Sequence, residues 1–528
     1  MTLHARPAAS GAPSVDRAAS WWMRASLRYP ALSALLTYSS AVYASQGLAL
    51  LRGLLVASLL GPAGFGLWRV IKLILTYAAH LPFGIVQAMR LELPRAIGAG
   101  RAGEAARIAQ TAVGATQMIG LAVIAICALA VLGGTVWVPR FPAWLTLFVG
   151  LLIAAQLLQE AINAKLQAEE HVTRLGAHLM AFSALALIGM VLGATWAGLA
   201  GALAGLLAAY VAPLIWLAWR GAFPAFALPD RATLRLLVHR GAPIWVAWLP
   251  VQVLGDIDQW LIALVLGTQA LGHYGIAVFF GSLLIFLPYL LRGVYQPFLM
   301  RQLGATHDPK ALRPYAVKSV WLMGYAAPLA IAAAFFAVDP VVRLALPAYA
   351  PGLAAAKVYF LGSFWNMTAS MTFMVCLALG RKREWFINTL LAIAAHVVVT
   401  ALVLRAGWGL VGAAASMGLI FAGYALAQVR LMLRFFEADG GAWRSLMGWL
   451  LIAFGACAGV CWGVEAALPL PGDGAGLVMV AIGRAVLGIA LLAALYRWAD
   501  RRLKFSEILA AQAGRGISSP VEAFEPVS

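Results

Sequence analysis

The sequence predicts an all-α integral membrane protein with about fourteen transmembrane helices. Of its 528 residues, 63% are hydrophobic and 11% are charged, whereas soluble domains average about 25% charged residues. The apolar runs reach the length of roughly 17–25 residues that a membrane-spanning helix needs, and the alternating segments typical of a membrane β-barrel are absent. Lys and Arg are concentrated in every second loop, which is the third sign of a multi-pass chain.

The chain begins with a tail, residues 1–32, that is rich in Ala, Pro and Arg and that we expect to be disordered. It lacks the short apolar segment and cleavage site of a signal peptide. The expected spans are 33–60, 65–89, 109–132, 143–164, 174–196, 198–218, 241–266, 273–296, 315–338, 354–379, 385–404, 408–432, 446–466 and 475–496.

The distribution of positive charge predicts the orientation. If the N-terminal tail and every second loop are cytoplasmic, these segments hold 29 of the 38 Lys and Arg residues, and the opposite loops hold three, Arg140, Arg343 and Arg405. Cytoplasmic loops carry such an excess, so we expect both termini in the cytoplasm. Topology also accounts for the net charge of +18, because no nucleic-acid-binding motif occurs.

An internal repeat predicts two related halves. Residues 52–95 and 258–301 share nine identities in 44 positions, including Leu60-Gly61 with Leu266-Gly267 and Leu81-Pro82 with Leu287-Pro288. Parallel repeats often place a substrate site between the halves. The expected organisation is an N-lobe 33–218, a cytoplasmic linker 219–240, a C-lobe 241–445, two additional helices within 446–497 and a cytoplasmic tail 498–528.

Several cations lie inside the predicted spans of the first half. A cation at mid-bilayer costs about 2.5–3.5 kcal/mol on insertion scales, so it usually faces a bundle interior or a wet cavity. Arg52 lies in the first span, and Arg69, Lys72, Thr76 and His80 in the second are spaced to share one helical face. We interpret this stripe as part of a substrate path, although Arg69 could instead extend to the membrane interface.

The second half has its own polar groups. Tyr289 and Arg292 lie on one face of the span 273–296, and Asp256 and Asp258 lie in the span before it. Because the repeat places Asp258 where the first half has Arg52, one interpretation is a salt bridge between the lobes. The other is a carboxylate that binds Na⁺ or a proton and couples it to transport.

Several other features are interpreted as structural and not as part of a functional site. Lys357 is expected to extend to a nearby span end, and the four cysteines are expected to pack. Glycines four residues apart predict close helix packing. They are Gly189/Gly193, Gly201/Gly205 and Gly455/Gly459/Gly463.

The motifs predict no enzyme and no cofactor. Asp256-Ile257-Asp258 matches the DxD of metal-dependent glycosyltransferases, but that motif needs a soluble nucleotide-sugar domain, and all loops here are short. A membrane glycosyltransferase, polymerase or ligase is therefore disfavoured. There is no P-loop for ATP, and we expect no metal site.

Particular motifs resemble the polysaccharide (Wzx-type) flippases of the multidrug/oligosaccharidyl-lipid/polysaccharide (MOP) exporter superfamily. The similarity extends over residues 35–440. It rests on Leu59-Leu60-Gly61-Pro62-Ala63-Gly64-Phe65-Gly66-Leu67, Gly241-Ala242-Pro243, Ile257-Asp258-Gln259, Leu266-Gly267 and Leu271-Gly272-His273-Tyr274.

The resemblance implies two six-helix lobes around a central cavity that opens alternately to the two sides. The implied substrate is an undecaprenyl-pyrophosphate-linked oligosaccharide, moved across a bacterial inner membrane for O-antigen or exopolysaccharide synthesis. Implied partners are a coupling ion or the membrane potential, and the polymerase and chain-length machinery. Cavity arginines of the family correspond to Arg52, Arg69 and Arg292.

Two alternatives of the same fold remain open. The two extra C-terminal helices resemble those of peptidoglycan-precursor flippases. A cation-coupled multidrug exporter is the other, although it would favour acidic groups where the first half has Arg and Lys.

Overall fold

The structure, a computed structural model, describes residues 30–134, 142–219, 228–306, 309–378, 382–436, 440–471 and 475–503. Within these ranges the regular structure is helical and no strand occurs, so the predicted all-α class is confirmed. The α-helices are α1 Pro30–Ala78, α2 Ile85–Gly98, α3 Ala102–Leu132, α4 Ala143–Ala168, α5 Val172–Trp219, α6 Arg231–Val265, α7 Thr268–Thr306, α8 Arg313–Ala345, α9 Leu353–Ala378, α10 Lys382–Arg405, α11 Gly409–Phe435, α12 Gly440–Ala467 and α13 Ala475–Leu503.

The number of spans agrees with the prediction. Ten of the described helices are long and apolar enough to cross a membrane. Two of these contain two spans each, because α1 turns at Gly61 (φ 63°) and α5 turns at Gly198 (φ 56°), close to the predicted span ends. Counting α6 (35 residues) and α9 (26 residues), which are long enough to cross a membrane but are not among these ten, gives about fourteen spans. Most of the two predicted tails lies outside the described residues.

The second predicted span, 65–89, is wrong as a continuous helix. Helix α1 ends at Ala78, residues 79–84 form turns, and α2 begins at Ile85. Pro82 has no N–H to donate, and Gly84 adopts a left-handed φ of 85° that favours glycine. His80 therefore lies in the turn, so the helical stripe of the prediction ends at Thr76.

The helices divide into two compact units. One contains the described residues up to Leu55 and Ala78–Ala242, and the other contains Val56–Tyr77 and the described residues from Pro243 onward. In the first unit an apolar core that includes Met89, Leu93 and Ile162 packs α2, α3 and α4 together.

Glycines determine how closely the two arms of α5 approach in the first unit. A Cβ on Gly193 would overlap the backbone of Gly201, and a Cβ on Gly189 would overlap the backbone of Gly205. The predicted close packing is therefore confirmed for these pairs. It is wrong for Gly455, Gly459 and Gly463 of α12, because a Cβ added at any of them would meet no neighbouring described atom within 4 Å.

In the second unit the two repeat-related turns pack against each other. Gly61 and Gly267, equivalent in the repeat, both have positive φ values, 63° and 90°. Gly66 and its equivalent Gly272 are in backbone contact, since a Cβ on Gly66 would overlap the carbonyl of Thr268 and one on Gly272 would overlap the carbonyl of Pro62. The motif of residues 59–67, on which the family resemblance rests, thus makes a backbone-to-backbone contact in the structure.

This contact predicts a stability difference between two glycine substitutions. Gly66→Ala forces backbone to move and should destabilise the protein by about 1–3 kcal/mol, the range for overpacking. Gly459→Ala, a helical glycine facing open space in the same unit, should be neutral or slightly stabilising. Thermal unfolding of the purified proteins in detergent measures both, and equal midpoints would contradict the packing argument.

A buried charge cluster holds the two C-terminal helices in the second unit. Lys357 of α9 bonds to Asp339 of α8 at 2.6 Å and to Glu465 of α12. Arg484 of α13 lies 4.0 Å from Asp339 and donates to the carbonyls of Leu468 and Glu465 at 2.6 and 3.0 Å. Lys357 lies one turn after the start of α9, near a span end as expected, but its side chain is paired with these carboxylates and is 8% exposed.

Candidate substrate-binding site

Arg69 is the centre of a buried polar network in the second unit. It is 6% exposed and donates from Nη2 to Oε1 of Gln259 on α6. Gln259 in turn donates from Nε2 to Asp256 at 2.9 Å, and Gln252 donates to the other oxygen of Asp256 at 2.7 Å. Since buried charges need paired or hydrogen-bonded surroundings, this chain of bonds explains how Arg69 is held away from lipid rather than extended to the interface.

Asp258 is the second carboxylate of this network. It is 1% exposed and accepts hydrogen bonds from the Tyr274 hydroxyl at 2.5 Å and from the Gln259 backbone N–H at 2.8 Å. Arg69 supplies the positive charge near both Asp256 and Asp258. Lys72 is a second cation near Asp256, so two carboxylates and two cations lie together at this network.

A chamber of about 270 Å³ extends from this network inside the second unit. It is formed by α6, α7, α9, α10 and α11, and its lining combines charged, amide, hydroxyl and aromatic side chains. The polar lining residues are Gln252, Asp256, Gln259, Ser282, Arg292, Tyr359, Asn366, Ser370 and Tyr424, and the principal aromatic ones are Trp248, Phe373, Trp385 and Phe421.

Arg292 lines this chamber, and it forms no ion pair with a carboxylate among the described residues. Its guanidinium lies 5.9 Å from the centre of the Tyr289 ring, and its Nε is buried without a hydrogen-bond partner there. The Tyr289 ring stacks on Phe286 and is 63% exposed. An unengaged guanidinium presents a planar set of donors that matches phosphate and carboxylate oxygens.

The other predicted residues have different surroundings. In the first unit Arg52 is half-buried beside Tyr210, and its Nη1 has no hydrogen-bond partner among the described residues. His80 is half-buried in its turn. In the second unit Lys72 is exposed, and Thr76 donates to the Lys72 carbonyl at 2.9 Å. The structure thus places Arg69, Asp256, Asp258 and Arg292 in or beside the chamber of one unit.

The wall that α9 contributes to the chamber was not predicted from the sequence. Tyr359, Asn366 and Ser370 are spaced by seven and four residues and all line the chamber. That spacing is a polar helical stripe like the one noted in the second span, and it could have been found in the same way. The aromatic wall gave no such signal, because Trp and Phe are common throughout the chain.

Comparison with known proteins identifies the fold. No protein-family model matches the chain, and no curated protein matches it in sequence. Among solved structures, a multidrug resistance MATE family transporter of the MOP superfamily in its inward-facing conformation has a TM-score of 0.62 at 15% identity, over 74% of this chain and 94% of that one.

The chain has the fold of the MOP superfamily transporters. The lipid II flippase MurJ, in an inward closed conformation, also gives a TM-score of 0.62, at 13% identity over 89% of this chain and 99% of that one. A MOP superfamily transporter from Pyrococcus furiosus, described as having a binding pocket of reverse polarity, gives 0.53 at 14% identity over 77% and 96%. All three are described as transporters or flippases, and at 13–15% identity the similarity establishes the fold of this chain.

Proposed function

We propose that the protein is a flippase for undecaprenyl-pyrophosphate-linked oligosaccharide repeat units in a bacterial inner membrane. It moves the head group of the lipid to the outer leaflet for synthesis of a surface polysaccharide, and both its termini are cytoplasmic. The observation that carries this proposal is Arg292, a half-buried arginine whose buried Nε has no acceptor among the described residues, in a chamber that also contains amide and hydroxyl groups. Such a cation suits a pyrophosphate oxygen, and the polar groups suit sugar hydroxyls.

The transport cycle follows from the same chemistry. Arg52, Arg69 and Arg292 are the cations proposed to attract the pyrophosphate, while the prenyl chain stays in lipid. No covalent bond is made or broken, so no nucleophile is required. Alternating access of two lobes, driven by Na⁺, a proton or the membrane potential, moves the head group, and Asp256 and Asp258 are the proposed coupling carboxylates.

A peptidoglycan lipid-precursor flippase is the second candidate. The lipid II flippase resembles 89% of this chain, whereas the multidrug transporter resembles 74%. A cation-coupled multidrug exporter is less well supported, because the unengaged charge in the chamber, Arg292, is positive.

Deletion of the gene tests the proposal. We expect prenyl-pyrophosphate-linked repeat units to accumulate in the cytoplasmic leaflet and surface polysaccharide to disappear, which lipid extraction and mass spectrometry of whole cells would show. Complementation with the intact chain is the control. Accumulation of peptidoglycan precursor would favour the second candidate, and normal lipid intermediates with increased sensitivity to cationic drugs would contradict both flippase assignments.

A further inference from the structure

We infer that the chamber of the second unit is a binding site for one neutral sugar ring of the transported head group. The inference rests on the proposed function and adds to it the part of the substrate that this unit recognises. Its basis is the lining, which brings an unengaged amide, several hydroxyl groups and the aromatic rings of Trp248, Phe373, Trp385 and Phe421 together around one cavity.

Asn366 is the polar group most available to a ligand. It is half-buried on α9, and its carboxamide makes no hydrogen bond within the part of the chain that the structure describes. A carboxamide has two donors and one acceptor, so it can bond two adjacent hydroxyl groups of a sugar. Ser370, one turn further along α9, donates to the Met367 carbonyl at 2.8 Å and keeps its acceptor lone pairs free for a sugar hydroxyl.

The aromatic wall suits the apolar face of a pyranose ring. Phe373 lies between two tryptophans, with ring-centre distances of 5.4 Å to Trp248 and 5.0 Å to Trp385. Trp248 lines the chamber and is 47% exposed. The C–H groups on one face of a sugar pack against such rings while the hydroxyl groups at its edge reach polar side chains.

The charge around the chamber argues against an organic cation. Aromatic rings beside a carboxylate could hold an ammonium group, but Asp256 is already hydrogen-bonded by Gln252 and Gln259 and lies near Arg69. Arg292 adds a further positive charge to the lining. With Asp258 included, the two aspartates have Arg69, Lys72 and Arg292 as neighbouring cations, so no uncompensated negative charge remains to hold an organic cation.

The size of the chamber limits what it can hold. Ligand pockets usually measure about 300–1,000 Å³, so a chamber of about 270 Å³ accommodates a single ring rather than a complete repeat unit. The remaining sugars would lie outside it. The ring bound here would therefore determine which oligosaccharides are accepted, and Arg292 would contribute the contact to pyrophosphate.

Protection of an introduced cysteine tests the assignment. The full chain carrying Ser370→Cys, reconstituted in nanodiscs, is labelled with a methanethiosulfonate reagent in the presence of glucose, galactose or N-acetylglucosamine. We expect at least one sugar to slow labelling threefold or more, with the native protein measuring the background of its own cysteines. Adding Asn366→Leu should abolish protection, whereas adding Asn388→Leu, on α10 outside the chamber, should preserve it.

Several outcomes would overturn the assignment. These are the absence of protection by any of the three sugars, protection by tetraphenylphosphonium or pyrophosphate but not by sugars, and protection that survives Asn366→Leu. If Ser370→Cys does not insert, quenching of tryptophan fluorescence by the same sugars replaces the labelling experiment. Quenching that is weaker in Trp385→Phe than in the native protein would support the site, and equal quenching in both, or none, would overturn it. Lipid accumulation on deletion tests the flippase function separately. The proposed function could therefore be supported even if the sugar-binding site were disproved.

Discussion

Replacing Lys357 with Met should destabilise the protein by about 3–5 kcal/mol, the cost of removing one partner from a buried ion pair. The side chains of Lys357 and Asp339 are only 8% and 5% exposed, so solvent cannot replace the lost charge. The substitution leaves Asp339 and Glu465 with Arg484 as their only nearby cation among the described residues. Thermal unfolding of the purified protein in detergent measures the change as a lowered midpoint.

Two control variants distinguish the loss of this buried ion pair from the loss of a positive charge in general. Lys357→Met combined with Glu465→Gln restores neutrality and should recover a large part of the lost stability. Arg101→Met removes a surface partner of Glu104, at 2.8 Å but 58% exposed, and such pairs contribute about 0–1 kcal/mol. Equal midpoints for Lys357→Met and Arg101→Met would show that the buried cluster does not hold the C-terminal helices.

The helices were predictable because each depends on local sequence. A run of about twenty apolar residues determines a span, and Gly61 and Gly198 adopt the left-handed conformations that separate two spans. The break at residues 79–84 was missed because proline occurs within membrane helices as well as at their ends. Hydropathy therefore gave no sign that α1 ends at Ala78.

The partners of buried charges were not predictable in the same way. Lys357 meets Glu465, 108 residues further along the chain, and Arg69 meets Gln259, 190 residues away. No periodicity links residues at such separations. The sequence did indicate that Arg69, Asp256 and Asp258 lie inside the membrane, and from there the cost of burial implies polar partners without identifying them.

Replacing Arg292 with Ala should reduce export of surface polysaccharide by roughly 10- to 150-fold, because a hydrogen bond to a charged group contributes about 1.5–3 kcal/mol. Arg292 supplies a buried Nε without a protein acceptor among the described residues, so an anionic ligand is the partner that its position allows. Arg292→Lys keeps the charge but loses the planar donor set, and should restore export only partly. Arg52, whose Nη1 also lacks a described partner, should behave like Arg292 when changed to Ala.

The control for these variants is Arg343→Ala, which removes an exposed arginine near the end of α8. It should leave export unchanged, while immunoblots of membrane fractions confirm that all variants insert. Full export by Arg292→Ala and Arg52→Ala at normal protein levels would show that neither guanidinium contacts the pyrophosphate. Loss of export by Arg292→Ala alone would instead limit anion binding to the chamber of the second unit, where this arginine lies beside the amide, hydroxyl and aromatic groups proposed to hold the sugar.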